Sequence, residues 1–127
     1  MQVPYYQQLK NFMLMKLIKA YIRHRKLEEV YNALKLEGFG AMTLVECDGT
    51  GKYTDSQNSH ISEKYPFADA CRVTKIEILV PNSDKKKVTA IIREKGRTGY
   101  QGDGIILISS VDEVHKIKNN DSGVESV

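Results

Sequence analysis

Only two cysteines, Cys47 and Cys71, stand in the 127 residues. That is too few for the disulfide framework by which small secreted domains compensate for a thin core. No apolar run approaches the roughly 20 residues needed to cross a bilayer. The start of the chain is polar, and Phe12-Met13-Leu14-Met15 is too short for the apolar stretch of a signal peptide. A net charge of +3 falls short of the basic excess that marks nucleic-acid binding. The histidines at 24, 60 and 115 lack ligand spacing, and His60 with Asp55, Glu63 and Asp69 reads as a solvated polar loop rather than a metal site. Neither a Ser/His/Asp nor a Cys/His arrangement is visible, and the carboxylates show no paired spacing. These absences point to a cytoplasmic, non-enzymatic protein that neither binds nucleic acid nor inserts in a membrane. At this length it forms one domain, able to bury about two-thirds of its unfolded surface.

Glycine, by contrast, is concentrated. Four of the nine glycines, Gly96, Gly99, Gly102 and Gly104, fall within Gly96-Arg97-Thr98-Gly99-Tyr100-Gln101-Gly102-Asp103-Gly104, which runs straight into Ile105-Ile106-Leu107-Ile108. Glycine permits positive φ and close backbone approach. Such a loop between a helix and a buried strand can aim several N–H groups at one point, the way proteins hold phosphates. A tight turn that merely feeds the strand is the alternative.

Hydrophobic periodicity organises the remainder. Residues 15–22 read as a strand, and Leu27, Val30, Tyr31 and Leu34 form one apolar face of a helix. Gly38 and Gly40 end that helix, and residues 41–47 read as a second strand. Thr74, Ile76, Ile78 and Val80 alternate with Lys75, Glu77 and Leu79 in a third strand. Pro81-Asn82-Ser83 should stop it and cap, through a side-chain oxygen, a second helix whose core face is Val88, Ile91 and Ile92. Residues 105–108 form a fourth strand, and residues 111–117 read as a short edge strand. Two βαβ units in tandem imply an α+β, ferredoxin-like split βαβ fold: a four-stranded antiparallel sheet with two helices on one face. The domain spans residues 15–118. It carries a long, polar, projecting loop at 49–71 between strands two and three, of the length that is usually functional or disordered. Residues 119–127 read as a flexible tail and residues 1–14 as an N-terminal extension. Two readings of the extension stay open: packing through Tyr5, Leu9, Phe12 and Met13, or a segment ahead of a biological start at Met13 or Met15. Arg23-His24-Arg25-Lys26 reads as a solvated charge run.

With these elements in order, the chain resembles the P-II signal-transduction superfamily from residue 15 to about residue 119. Met15-Lys16-Leu17-Ile18-Lys19-Ala20-Tyr21-Ile22 is similar to that family's opening strand, and Lys26-Leu27-Glu28-Glu29-Val30 to its first helix. Gly40-Ala41-Met42-Thr43 resembles its turn into strand two, and Lys75-Ile76-Glu77-Ile78-Leu79-Val80-Pro81 its K-I-E-I-V-V-P strand. Most specific is Thr98-Gly99 with Gly102-Asp103-Gly104, against the family's T-G-x-x-G-D-G loop. The resemblance implies a homotrimer that binds an adenine nucleotide in each intersubunit cleft. It also implies signalling through the long loop to a partner transporter or metabolic enzyme. Thr43 and Leu79 would contact the adenine, while Gly51, Lys52 and Tyr53 would lie beside the sugar and phosphates. Gly102, Asp103 and Gly104 would cradle phosphate, and Lys116 and Lys118 would reach it from the neighbouring subunit.

The chain also departs from the family pattern. Ile105 stands where the family has a lysine after G-D-G, Lys116 and Lys118 where it has arginines, and Tyr53 where it has a glutamine that helps hold magnesium and 2-oxoglutarate. Lysine lacks arginine's bidentate fork to phosphate. The expectation is a P-II-like regulator for which ADP or AMP is at least as good a ligand as ATP, with little dependence on magnesium or 2-oxoglutarate. The competing readings are a metal-responsive trimer of the CutA type and a small nucleotide-hydrolysing enzyme.

Overall fold

The computed structural model describes residues 4–5, 15–52, 54–55, 59 and 61–122. Most of the N-terminal extension and the end of the tail lie outside them. β1 (Met15–Arg23), α1 (Leu27–Leu36), β2 (Thr43–Gly49), β3 (Cys71–Pro81), α2 (Lys85–Gly96) and β4 (Ile105–Ser110) follow in chain order. The four strands form one sheet in the order β2-β3-β1-β4, every pair antiparallel. This is the expected split βαβ arrangement.

Strand alternation decides which face meets the helices. Ile18 pairs with Ile78 and Ala20 with Ile76, so these side chains share one face of the sheet. They form a single core with Ile22 and Val80, Val30 and Leu34 of α1, and Val88 and Ile92 of α2. Burying an aliphatic side chain of this size contributes about 1.5–3 kcal/mol, and this cluster is the main apolar store of the domain. Only two short helices are at hand to cover the apolar face of β3. Ile76, Ile78 and Val80 are nevertheless at most 3% exposed within the single chain, because both helices lie across the central strands. The uncovered apolar surface is elsewhere: Leu44 and Val45 on one edge strand and Leu107 and Ile108 on the other are 39–49% exposed.

Three local expectations are corrected. Residues 111–117 form no strand. Val111 N–H extends the β1–β4 ladder by one bond to Met15 O at 3.2 Å, after which His115 and Ser122 make only an isolated bridge. α2 has no side-chain cap: a 3₁₀ turn at Asn82–Asp84 leads into it, and Asn82 Oδ1 is buried without a partner among the described residues. Of the two glycines after α1, Gly38 alone takes positive φ, +90°, as its N–H bonds Lys35 O. The segment between β2 and β3 is also less detached than its polarity suggests. Thr54, Ala70 and Cys71 at its ends are buried, while residues 61 and 63–69 are exposed.

Candidate functional site

The glycine-rich loop after α2 is built around a carboxylate. Asp103 Oδ2 accepts the N–H groups of Thr98 and Gly99, each at 2.9 Å, and its Oδ1 accepts the Thr98 hydroxyl. Thr98 Oγ1 in turn accepts Tyr100 N–H at 3.2 Å. Burial alone would push the Asp103 carboxyl up. The bonds from the Thr98 hydroxyl, from the Gly99 and Thr98 N–H groups and from Arg23 outweigh it and hold the pKa down at about 2. The side chain expected beside phosphate is therefore turned into the loop it organises. Gly102 and Asp103 keep N–H groups that meet no acceptor among the described residues. Gly102 itself is buried beneath Thr54 and Asp55.

Two glycines in this loop are obligatory on steric grounds. A Cβ on Gly104 would stand 1.7 Å from Tyr21 O, and one on Gly102 would stand 2.6 Å from Thr54 O, both at positive φ. Gly104 thus lies on the backbone of β1, and Gly102 lies under the first residues of the long segment. Ile105 opens β4 opposite Tyr21. It lines a cavity with Tyr21, Ile92, Arg97, Asp103 and Gly104.

Arg23 was missed by the sequence reading, which placed it in a solvated run. It is 5% exposed. Its Nε donates to Asp103 Oδ1 at 3.0 Å, its Nη2 to Gln101 O at 2.8 Å, and its Nη1 to Asp55 Oδ2. A guanidinium at the end of β1 therefore meets two carboxylates from segments 48 residues apart, since 103 − 55 = 48. Its charge is neutralised internally, so a bound anion must draw positive charge from elsewhere. The available signal was indirect: a carboxylate inside a glycine loop calls for a cation, and Arg23 ends the strand that the loop crosses. Asp55, grouped above with polar residues of the long loop, belongs to this ion pair. Among the described residues no three metal-ligating side chains cluster, and His60 lies outside them.

The remaining expected residues fall in three places. Thr43 and Leu79 meet in a shallow depression with Leu17, Ala41, Met42 and Glu77. There Leu17 pairs with Leu79 across β1–β3, and Thr43 pairs with Glu77 across β2–β3. Gly51 heads the turn that holds Thr54: its carbonyl accepts Thr54 N–H at 3.2 Å and the Thr54 hydroxyl at 2.9 Å. Lys52 is exposed beside it, and Tyr53 lies outside the described residues. Lys116 and Lys118 are exposed, and Lys116 N–H donates to Asp121 O at 2.9 Å. Among the described residues no hydrogen bond or ion pair joins either lysine to the glycine-rich loop. Thr43 and Ile105 lie on opposite edge strands, three strand spacings or about 14 Å across the sheet and two residues apart in register. The fold of one chain brings Gly51 and the glycine-rich loop toward each other through Thr54 and Asp55. It leaves the Thr43–Leu79 depression and the two lysines apart.

Comparison with known proteins agrees with this architecture. Residues 15–121 match the family described as Nitrogen regulatory protein P-II. The chain is 42% identical over 113 residues to "Nitrogen regulatory protein P-II 2" of Methanothermobacter thermautotrophicus, covering 89% of this chain and 97% of that protein. It is 36% identical over 113 residues to "Nitrogen regulatory protein P-II" of Pyropia yezoensis, covering 89% of this chain and all of that one. In fold it is similar to the crystal structure of Arabidopsis thaliana PII bound to citrate, with a TM-score of 0.73 at 23% identity over 89% of this chain and 92% of that one.

Proposed function

Because the chain belongs to the P-II family, we propose that it is a cytoplasmic, non-enzymatic regulator that binds an adenine nucleotide and signals to a partner protein through the segment between β2 and β3. The observation that carries this reading is the loop of residues 97–104. Asp103 consumes the Thr98 and Gly99 N–H groups in shaping the turn, and this reading assigns the N–H groups of Gly102 and Asp103 to the anion. Thr43 and Leu79 supply the apolar and hydroxyl surface for a purine, and Gly51, Lys52 and Tyr53 adjoin the sugar and phosphates. Lys116 and Lys118 come from a neighbouring subunit of a homotrimer. Family membership favours this reading over a metal-responsive trimer or a hydrolase on the same scaffold.

Ile105 sets the preferred ligand. A charge-assisted contact to phosphate is worth about 1.5–3 kcal/mol, or roughly 10- to 150-fold in affinity, and an isoleucine provides none. The loss falls hardest on a γ-phosphate, which depends most on side-chain charge. ADP and AMP rely more on the backbone donors that remain. Titration calorimetry with AMP, ADP and ATP, with and without magnesium and 2-oxoglutarate, tests this, using Lys116→Ala as the control that weakens phosphate binding. Gly102→Ala is unsuitable as a control, because its Cβ would collide with Thr54 and Asp55 backbone. ADP or AMP should bind at least as tightly as ATP. ATP binding more than tenfold tighter than ADP, and tightened further by 2-oxoglutarate, would overturn the argument from Ile105 and Tyr53.

A further inference from the structure

The three donors of Arg23 are divided between two segments. Nε and Nη2 hold the glycine-rich loop, at Asp103 and Gln101 O, and Nη1 holds Asp55 at the start of the long segment. A second contact joins the same two segments independently of charge: Gly102 lies so close under Thr54 and Asp55 that a Cβ there would stand 2.6–2.7 Å from their backbone atoms. Asp55 is fixed from a third side, since its carbonyl accepts the Cys71 thiol at 2.8 Å. Thr54 is anchored to Gly51. The stem of the long segment is therefore seated on the loop, with one buried guanidinium between them.

We propose that Arg23 is a positioning residue that couples the glycine-rich loop to the stem of the long segment through Asp55, so that ordering either segment orders the other. The physical reason is the burial of Arg23. A guanidinium with 5% exposure cannot exchange a lost partner for water at low cost. When Asp55 leaves, the guanidinium must rotate toward solvent, and the bonds to Asp103 and Gln101 O are disturbed with it. By linkage, an anion that stabilises residues 97–104 in the observed shape strengthens the seating of Asp55 to the same extent. This coupling deepens the nucleotide-binding reading above and rests on it for the identity of the anion.

Hydrogen exchange read by mass spectrometry tests the latch. The proteins are the wild type, Asp55→Asn, Asp55→Glu, Arg23→Gln and the Arg23→Gln/Asp55→Asn double variant, free and with saturating ADP. Asp55→Asn should speed exchange of residues 97–104 roughly tenfold or more in the free protein, and Asp55→Glu should restore most of the protection. In the Arg23→Gln background Asp55→Asn should add nothing, because the route through the guanidinium is already gone. ADP should slow exchange of residues 49–55 in the wild type and not in Arg23→Gln. Unchanged exchange at 97–104 in Asp55→Asn, or an equal effect of Asp55→Asn with and without Arg23, would overturn the proposal. Should Arg23→Gln fail to fold, the Asn and Glu variants at Asp55 still decide it. Failure of the wild type to bind ADP would remove the nucleotide reading, while the ligand-free comparison would still decide the latch.

Discussion

Replacing Asp103 with asparagine should give a stability loss that depends on pH in a defined window. The carboxyl is held at about 2 against an ordinary 3.8, which at about 1.36 kcal/mol per tenfold change in proton affinity corresponds to about 2.4 kcal/mol. Its side chain is 25% exposed, so solvent screening reduces this to about 1–2 kcal/mol. The folded pKa lies below the unfolded one. The contribution is therefore fully present above about pH 4 and is lost as pH falls through about 2. Asparagine keeps one acceptor but turns an NH2 group either toward the Thr98 and Gly99 N–H groups or toward Arg23 Nε and the Thr98 hydroxyl, which adds a penalty independent of pH. Urea unfolding of the wild type and Asp103→Asn at pH 7, and at intervals from pH 5 to 2, measures the difference. The gap should be largest at neutral pH and narrow by about 1–2 kcal/mol across the acid range. A gap that stays constant from pH 5 to 2, or is absent at pH 7, would refute the assignment of Asp103 as the ionised organiser of the loop.

Gly104→Ala should cost at least about 3 kcal/mol in urea unfolding, because the new Cβ would overlap Tyr21 O at 1.7 Å in a backbone of φ +102°. A loss under about 1 kcal/mol would mean that β1 and the loop separate easily. Native-state thiol labelling should modify Cys47 first and slowly at neutral pH, since burial pushes its thiol up, and should reach buried Cys71 only on unfolding. The two should not form a disulfide. The register places Cys47 opposite Val73 and Cys71 opposite Gly49, a diagonal relation of about 7–8 Å, beyond disulfide reach. Light scattering at micromolar concentration should report a trimer, with Leu107→Glu shifting it toward monomer because Leu107 is 49% exposed on β4; a monomeric wild type would remove the intersubunit site.

Strand and helix order were legible because burial is periodic. The alternation of Ile76, Ile78 and Val80 and the helical spacing of Leu27, Val30 and Leu34 each specify which side chains leave water. The glycine-rich loop was legible for a related reason: Gly102 and Gly104 answer to backbone geometry that few other residues can adopt. Their close neighbours, Thr54, Asp55 and Tyr21, come from distant parts of the chain and carry no local signature. Residues 111–117 misled because a short apolar alternation does not say whether a partner strand's edge lies within reach. Arg23 shows the limit most clearly. In the sequence it is one basic residue among four in Arg23-His24-Arg25-Lys26, and nothing local separates it from its neighbours. The antiparallel pairing of β1 with β4 and the return of the chain after β2 bring Asp103 and Asp55 to the same guanidinium. Patterning along the chain therefore determined the layers and the loop. Which charge is buried, and which two segments it joins, depends on contacts between residues far apart in sequence, and those exist only once the sheet has formed.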